Sequence, residues 1–529
     1  MGQDMTEPSE RQGRAGRERR GGRSGHAGRA ADAEATGDPF PFRQPRRRFP
    51  PVEIVSADEL EAIHQASLTV LEEIGMDFLD PDAVALLATA GADTRLGSQR
   101  VRFDRNLILE RIKSVPATFT LHARNPAHSL GFGGDQVIFA QVASAPNCSD
   151  MDKGRRPGNQ EDFRNLVKLA QSFNIIHMTG GYPVEPVDLH ASIRHLDCLA
   201  DLAKLTDKAF HAYSLGRQRN RDALEIVRLA RGISDEQLDR EPSLITVINS
   251  SSPLRLDAPM LQGIMEMSSR GQVVIMTPFT LAGAMAPVTV AGALAQQNAE
   301  ALAGIAFTQI VKPGAPVVYG GFTSNVDMKS GAPAFGTPEY MKSAMIGGQL
   351  ARRYKLPYRT SNTCAANTVD AQAAYESVFS LWGAVMGGGN FILHSAGWME
   401  GGLTASFEKT IVDVDLLQMV SQFLDPLEVS EATLALDAMR EVGPGGHYFG
   451  AVHTQSRYQT AFYNPLISDW RNFESWREAG SPTAMEKANR LWKETLARYQ
   501  RPPMDPAAEE ALDAFVARRK EEGGVKTDF

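Results

Sequence analysis

The chain has 529 residues, of which 43% are hydrophobic and 22% are charged, a composition typical of a soluble globular protein. Residues 1–50 hold 11 arginines against 7 acidic residues, although the whole chain has a net charge of −8. The acidic remainder argues against a nucleic-acid partner, and no apolar run approaches the roughly 18 residues that a membrane span requires.

Residues 1–48 are rich in Gly, Arg, Ser and Ala without apolar periodicity, which predicts a disordered tail. A helix follows, because Ser56 precedes apolar residues at helical spacing with a glutamate three positions on, and the pattern stops at Gly75. A short helical run and a strand-like TFTLHAR come next. Residues 50–135 are therefore predicted to form an α+β cap.

From residue 136 to residue 424, strand-like and helical patterns alternate. The predicted strands are 137–143, 175–181, 209–214, 244–250, 273–278, 316–321, 356–362 and 391–397. The predicted helices are 160–172, 190–205, 218–232, 258–270, 290–311, 338–354, 370–386 and one from about Asp413. Eight such units in series predict an α/β fold of the TIM (β/α)8 barrel type. Residues 425–529 are predicted to form a helical C-terminal extension that wraps the barrel or meets a partner chain.

In a TIM barrel the active site lies where the strands end, and here those ends are polar, aromatic and poor in carboxylates. The candidate substrate-binding residues are His211, Tyr213, Asn249, Tyr319, Phe322, Tyr358, Asn362 and Trp398, with His394 beside them. The absence of a carboxylate pair argues against glycoside chemistry. Aromatic faces attract quaternary ammonium groups, although such rings also serve as core or lid packing.

No metal site is predicted. His195 and Cys198 share a helix face, but they stand in the middle of a predicted helix, which favours a packed or surface pair. His447 and His453 lie outside the barrel and lack partners at zinc-binding spacing. Three scattered cysteines give no disulfide framework, and a reduced cytoplasm is the expected compartment.

Six segments carry a resemblance to a known family. They are ARNP (123–126), RRPGNQEDFRNLVKLAQSFNIIH (155–177), PVVYGGFTSNVDMKSGAPAFGTPEY (316–340), VDAQAAYES (369–377), SAGWMEGGLTASFEKTIVDVDLL (395–417) and GGHYFGAVHT (445–454). Their order resembles the trimethylamine methyltransferase family of corrinoid-dependent methyltransferases. The resemblance implies a TIM barrel that binds no cofactor tightly, and whose mouth receives the cobalamin of a small corrinoid protein.

Classical archaeal members carry pyrrolysine just before the DAQ motif, where this chain reads NTCAANTVDAQ. Asn367 takes that position in the best alignment, so the chain resembles the non-pyrrolysine branch, whose characterised members demethylate quaternary amines such as glycine betaine. Asn367, Asp370 and His394 are then the expected catalytic residues. An Asn367→Lys change is expected to place a like charge beside the ammonium group and to weaken its use.

The expected function is transfer of a methyl group from a quaternary or tertiary methylamine such as glycine betaine to the Co(I) corrinoid of a partner protein. A homo-oligomer is expected. Two alternatives are a different TIM-barrel enzyme of the lyase type and a non-catalytic relative that binds a corrinoid protein.

Overall fold

The structure is a computed structural model that describes residues 40–95 and 99–526. Most of the predicted tail, residues 1–39, lies outside the described residues. The segment 40–48, which the sequence predicts as part of the tail, packs on the body instead. Arg43 pairs with Asp425 at 2.5 Å, and the Phe42 ring lies 4.4 Å from the ring of His128. Apolar rings between the arginines give this segment a surface to bury.

The helices include every one predicted for the barrel, within four residues at each end except for the last helix, which begins six residues earlier than expected. The α-helices are α1 (Ala57–Thr69), α2 (Pro81–Thr89), α3 (Arg105–Ile112), α4 (Gln160–Ser172), α5 (Arg194–Leu205), α6 (Arg217–Arg231), α7 (Asp235–Arg240), α8 (Ala258–Ser269), α9 (Val290–Val311), α10 (Pro338–Arg353), α11 (Ala371–Met386), α12 (Phe407–Leu424), α13 (Glu431–Leu434), α14 (Leu436–Val442), α15 (Val452–Gln455), α16 (Phe473–Glu478), α17 (Ala484–Arg498) and α18 (Pro506–Glu521). A π-helical turn, Val70–Ile74, continues α1.

The strands are short, and the longest has five residues. They are β1 (Met76–Phe78), β2 (Arg100–Val101), β3 (Phe119–Leu121), β4 (Leu130–Phe132), β5 (Ile138–Phe139), β6 (Asn147–Asp150), β7 (Gly154–Pro157), β8 (Ile245–Ile248), β9 (Arg255–Leu256), β10 (Val273–Met276), β11 (Phe279–Ala282), β12 (Val317–Gly320), β13 (Phe322–Val326), β14 (Pro333–Ala334), β15 (Tyr358–Ser361), β16 (Phe391–Leu393), β17 (Trp398–Met399) and β18 (Thr404–Ser406).

A curled parallel sheet forms the centre of the molecule, with the order β5-β16-β15-β12-β10-β8. These six strands match six of the eight predicted. At the second and third predicted strands, 175–181 and 209–214, the chain makes only isolated parallel bridges. The bridges join Ala140 to Met178, Met178 to Ala209, and His211 to Ile245.

Two imidazole rings explain why these segments are not regular strands. The backbone N–H of Phe139 donates to Nδ1 of His177 at 2.9 Å, and that of Val247 donates to Nε2 of His211 at 3.1 Å. Side-chain nitrogens therefore take hydrogen bonds that carbonyl groups take in a regular ladder. The pattern of apolar residues does not reveal this substitution.

One end of the sheet is closed by the β3–β4 hairpin of the predicted cap. Leu121 and Phe132 of the hairpin join a buried cluster with Ile138 and Val273, from the beginnings of the strands. The ring of Phe132 lies 5.8 Å from that of Phe391. The opposite end, where the strands finish, is the one left open for a site.

The C-terminal helices wrap the outside of the sheet and its helices. On α17, Trp492 donates from Nε1 to Glu408 at 3.0 Å. On α18, Arg519 pairs with Asp222 at 2.8 Å. Across residues 40–95 and 99–526, none of the helices has the length and apolarity that crossing a membrane would take.

Candidate active site

A cavity of about 660 Å³ opens at the carboxyl ends of the central strands, and its size is that of a small-molecule site, about 300–1,000 Å³. Six of the predicted site residues line it. They are His211, Tyr213, Asn249, Phe322, His394 and Trp398. Because they come from different strand ends, the parallel sheet brings together residues that are far apart in the sequence.

Aromatic rings form one wall of the cavity. Phe279 and Phe322 begin β11 and β13, which pair in parallel register, and their rings stack with centroids 5.2 Å apart. The Trp398 indole stands edge-on to Phe322 at 6.2 Å. Ring faces of this kind present negative electrostatic potential to a ligand cation.

His394 stacks on this wall, with its ring 5.2 Å from that of Trp398. Its backbone is left-handed, with φ of 58°, and its Nδ1 is buried without a hydrogen-bond partner. Burial lowers the pKa of His394 well below its ordinary value, and the charge of Arg359 lowers it further. The ring is therefore neutral at physiological pH.

A buried ion pair on α12 holds the loop that carries His394 and Trp398. The backbone N–H of Gly397 donates to Asp413 at 2.8 Å, and Lys409 pairs with Asp413 at 2.5 Å with both side chains 1% exposed. Desolvation raises the pKa of Asp413. The pair links the helix to the cavity wall.

His211 uses both ring nitrogens within the protein. Its Nδ1 donates to the carbonyl of Gly180 at 2.6 Å, while Nε2 accepts from Val247. This pattern fixes a neutral tautomer, and burial lowers the pKa of His211 to about 4. The ring supports Tyr213, 5.0 Å away, and leaves no nitrogen free for proton transfer.

Sequence reasoning missed Arg359, whose side chain lines the cavity with only 3% of the residue exposed. Its guanidinium carbon lies 5.2 Å from the Phe322 centroid. Burial lowers the pKa of Arg359 to about 10, which leaves it charged at neutral pH. Neighbouring residues of a strand point to opposite faces of the sheet. Because Tyr358 points outward, this alternation would have placed the Arg359 side chain on the inner face of the curled sheet. Glu185, paired with Arg194 at 2.6 Å, is a second lining residue that was missed.

Three of the predicted substrate-binding residues do not reach the cavity. Tyr319 donates its hydroxyl to Asn298 on α9 at 3.0 Å, and Tyr358 donates to the carbonyl of Ala344 on α10 at 2.8 Å. Both side chains point toward the surrounding helices, because the strand pleat turns them outward. Asn362 is buried below the rim and donates to the carbonyl of Ser395 at 3.2 Å.

The loop after β15 places Asn367 and Asp370 on the surface, outside the cavity lining. Asp370 caps α11, because its carboxylate accepts from the backbone N–H groups of Gln372 and Ala373. Glu376 instead holds this loop, with backbone N–H groups of residues 365 and 366 donating to it at 2.7 and 3.0 Å. No described contact brings Asn367 near the aromatic wall.

Polar clusters away from the cavity have structural partners. His195 lies 2.8 Å from Asp222 in a buried pair, in agreement with the prediction of a packed or surface position for this histidine. The three cysteines are free and buried. In the part of the chain that the structure describes, no group of three His, Cys, Asp or Glu side chains is placed to hold a metal ion.

A family model described as trimethylamine methyltransferase (MTTB) matches residues 18–524. The chain is 36% identical to glycine betaine methyltransferase of Desulfitobacterium hafniense (strain Y51), over 90% of this chain and 99% of that protein. It is 27% identical to trimethylamine methyltransferase MttB of Desulfitobacterium hafniense (strain DSM 10664 / DCB-2), over 89% of this chain and 94% of that protein. A dihydropteroate synthase of Coxiella burnetii aligns with 58% of this chain and 99% of that chain at 12% identity, with a TM-score of 0.32.

Proposed function

The chain belongs to the trimethylamine methyltransferase family and is a methyltransferase, and from that premise we propose that it moves a methyl group from a quaternary methylamine such as glycine betaine to the Co(I) corrinoid of a partner protein. The observation that carries the proposal is the wall formed by Phe279, Phe322 and Trp398. Each such face contributes roughly 0.5–2 kcal/mol to binding of a quaternary ammonium group.

The chemistry places few demands on side chains. The electron pair of Co(I) forms the new bond to the methyl carbon while the nitrogen keeps the pair of the breaking C–N bond. The amine leaves as a neutral tertiary amine, so no proton moves. Neutral His211 and His394 fit this reaction, because the protein need only orient the N–CH3 bond and exclude water.

We also propose that the central sheet closes into an eight-membered (β/α)8 barrel whose open end receives the partner's corrin. The parallel bridges at Met178, Ala209 and His211 support this, because they lead from β5 to β8 around the gap in the sheet. The proposed compartment is the cytoplasm, in keeping with three free cysteines.

A second copy of the chain is proposed to cover its exposed apolar surfaces. Between α12 and α17 the chain exposes Leu427 by 88%, Phe449 by 81% and Phe462 by 87%, while α11 exposes Tyr375 and Trp382. Large exposed apolar surfaces mark interfaces. Two copies of the chain present the same apolar surfaces, so each copy can cover those of the other. Sedimentation of the purified chain tests this: a monomer that associates only when the corrinoid protein is added would assign the surface to that partner instead.

The test of function is a single-turnover assay of a panel of methylated amines with Co(I) corrinoid. Methylcobalt is expected from a quaternary amine, and only when the chain is present. Amine conversion without a corrinoid would support a lyase. Binding of a corrinoid protein without any methylcobalt would support a non-catalytic role.

A further inference from the structure

The outward side of helix α11 is apolar. Its large exposed side chains are Tyr375, Val378, Phe379 and Trp382, which follow the spacing i, i+3, i+4 and i+7 of one helix face; we call these four the α11 face. The other exposed positions of the helix, 371, 372 and 374, are alanine, glutamine and alanine. Glu376, the single charged residue of the helix, is buried. A surface helix normally presents charged residues to water, so the α11 face lacks a covering partner.

The segment 426–479, which we call the arm, has almost no core of its own. Within this stretch, all of which the structure describes, the buried residues are Ala438, Ala451 and Ile467. Eight of its 54 residues are aromatic, against 8% in the whole chain. Disordered segments are poor in aromatic residues, and ordering a chain that buries little apolar surface is unfavourable because backbone entropy is lost. The arm therefore has the composition of a segment that folds against another surface.

Both ends of the arm are fixed on α12. Asp425, just before the arm, pairs with Arg43, and the backbone N–H of Leu466 donates to Asp415 at 2.9 Å. The side chains between these two points remain in solvent, and they leave the α11 face of their own chain exposed. Neither apolar surface is covered from within the chain.

The aromatic side chains of the arm provide the area that a stable contact between two copies needs. Six of them are between 46% and 87% exposed, and these are Tyr448, Phe449, Tyr458, Phe462, Trp470 and Phe473. An aromatic side chain buries about 150–250 Å², so the six offer on the order of 800 Å², the area that one partner contributes to an interface of standard size. A second copy brings an arm for the α11 face and an α11 face for the arm, and one two-fold axis then covers both surfaces of both copies.

The α11 face lies directly behind the aromatic wall of the cavity. Gly336 borders the apolar groove on α11, and it approaches the helix so closely that a Cβ added there would lie 2.5 Å from the Cβ of Glu376. The ring of the preceding residue, Phe335, lies 5.1 Å from that of Trp398 and 5.5 Å from that of Phe322. A side chain that packs on α11 beside Gly336 is thus one residue away from the wall.

We propose that two copies of the chain exchange arms, that each arm binds on the α11 face of the other copy, and that this contact holds Phe335 and the aromatic wall in place. Binding of a quaternary amine then requires the assembled protein. The inference rests on the proposed function for the second copy and for the cation at the wall. The corrinoid protein is proposed to meet the open end of the sheet, whereas α11 runs down its side, because a helix between parallel strands returns toward their beginnings.

The test uses two complementary variants of the full chain. Trp382→Glu disrupts the α11 face and keeps the arm, whereas the double variant Phe449→Glu/Phe462→Glu disrupts the arm and keeps the α11 face. In sedimentation, the wild-type chain should be a dimer and each variant alone a monomer. An equimolar mixture of the two variants should form dimers again, because one intact arm then meets one intact α11 face. Leu86→Glu on α2 is the matched control, since Leu86 is exposed to about the same extent as Trp382, and it should remain dimeric.

Equilibrium dialysis with radiolabelled glycine betaine, without any corrinoid, tests the link to the wall. Affinity should fall by about 2- to 30-fold in each monomeric variant. In the mixture it should recover for half of the sites, those on the copy whose α11 face is intact. Dilution of the wild-type chain until it dissociates should lower the affinity in the same way, and this measurement decides if a variant does not fold.

The arm exchange would be overturned by a monomeric wild-type chain, by either variant forming dimers alone, by a mixture that stays monomeric, or by loss of dimers in Leu86→Glu. Association that appears only when the corrinoid protein is added would assign both surfaces to that partner and overturn it as well. Equal amine affinity in monomers and dimers would overturn the link to the wall.

Failure of this inference and failure of the proposed function can be told apart. Arm exchange in a chain that forms no methylcobalt from any amine would overturn the proposed function alone. Methyl transfer at the wild-type rate by the monomeric variants would overturn the link between assembly and the wall alone.

Discussion

The guanidinium carbon of Arg359 lies 5.2 Å from the centroid of the Phe322 ring, and both side chains border the same cavity. One aromatic ring thus supports a fixed cation and stands in the wall proposed to receive a ligand cation.

Phe322→Leu removes the ring and keeps an apolar side chain. Loss of roughly 0.5–2 kcal/mol of cation–π attraction should lower kcat/KM for the quaternary amine by about 2- to 30-fold. The matched control is Phe119→Leu, because Phe119 stacks on Phe132 at the closed end of the sheet. That variant should lose stability with no change in KM. Equal effects of the two changes on kcat/KM would show that the aromatic wall is not part of the binding site.

Acid should destabilise the protein through its buried imidazoles. Burial lowers the pKa of His177 to about 3 and that of His211 to about 4, from 6.5. The unfolded chain therefore binds protons first, and stability that is complete above pH 6.5 is lost as the pH falls toward 4. At pH 5 each ring should cost about 2 kcal/mol.

Thermal midpoints at pH 7.5, 6 and 5 measure this decline. His177→Gln, whose amide can still donate and accept, should unfold at a lower temperature at pH 7.5 but lose less on acidification than the wild type. Parallel declines in the two proteins would show that the buried imidazole does not contribute.

Breaking the Lys409–Asp413 pair should be costly, because each side chain is 1% exposed. Asp413→Asn leaves a buried ammonium group without its partner and should cost about 3–5 kcal/mol. Lys409→Met should cost less, because the pKa of Asp413 is already raised by burial and the carboxyl can take up a proton. Urea unfolding of both variants gives the order, and the reverse order would contradict it.

The helices could be predicted closely, because apolar periodicity and capping residues such as Asn159 and Thr337 mark where they begin. The second and third strands could not be predicted in their observed form. Their irregularity comes from His177 and His211, whose ring nitrogens replace ladder acceptors. This replacement of backbone acceptors by ring nitrogens depends on contacts between segments far apart in the sequence, so it leaves no periodic signal.

The site could be predicted only in part. The rule that site residues follow strand ends led to His394 and Phe322, which border one cavity. The same rule included Tyr319 and Tyr358, which the pleat turns outward. Applying the alternation of strand residues would have exchanged Tyr358 for Arg359. Alignment gave the position of Asn367 in the sequence, but it carries no information on the direction of a side chain in a loop.

Substitutions of Asp370 distinguish a structural role for this residue from the catalytic role expected from the sequence. As the cap of α11, it should be replaceable by serine with little loss, whereas Asp370→Ala should cost about 1 kcal/mol of stability. Neither change should alter KM for the amine. A tenfold rise of KM in Asp370→Ser, with its stability kept, would restore a Coulombic role for the carboxylate.

The most direct test of methyl transfer is a single turnover with glycine betaine whose three methyl groups are deuterated, mixed with the wild-type chain and Co(I) corrinoid. Mass spectrometry of both products should find one trideuteromethyl group on cobalt for each dimethylglycine released. Loss of glycine betaine without labelled methylcobalt, or no reaction of any quaternary amine, would contradict the proposed function.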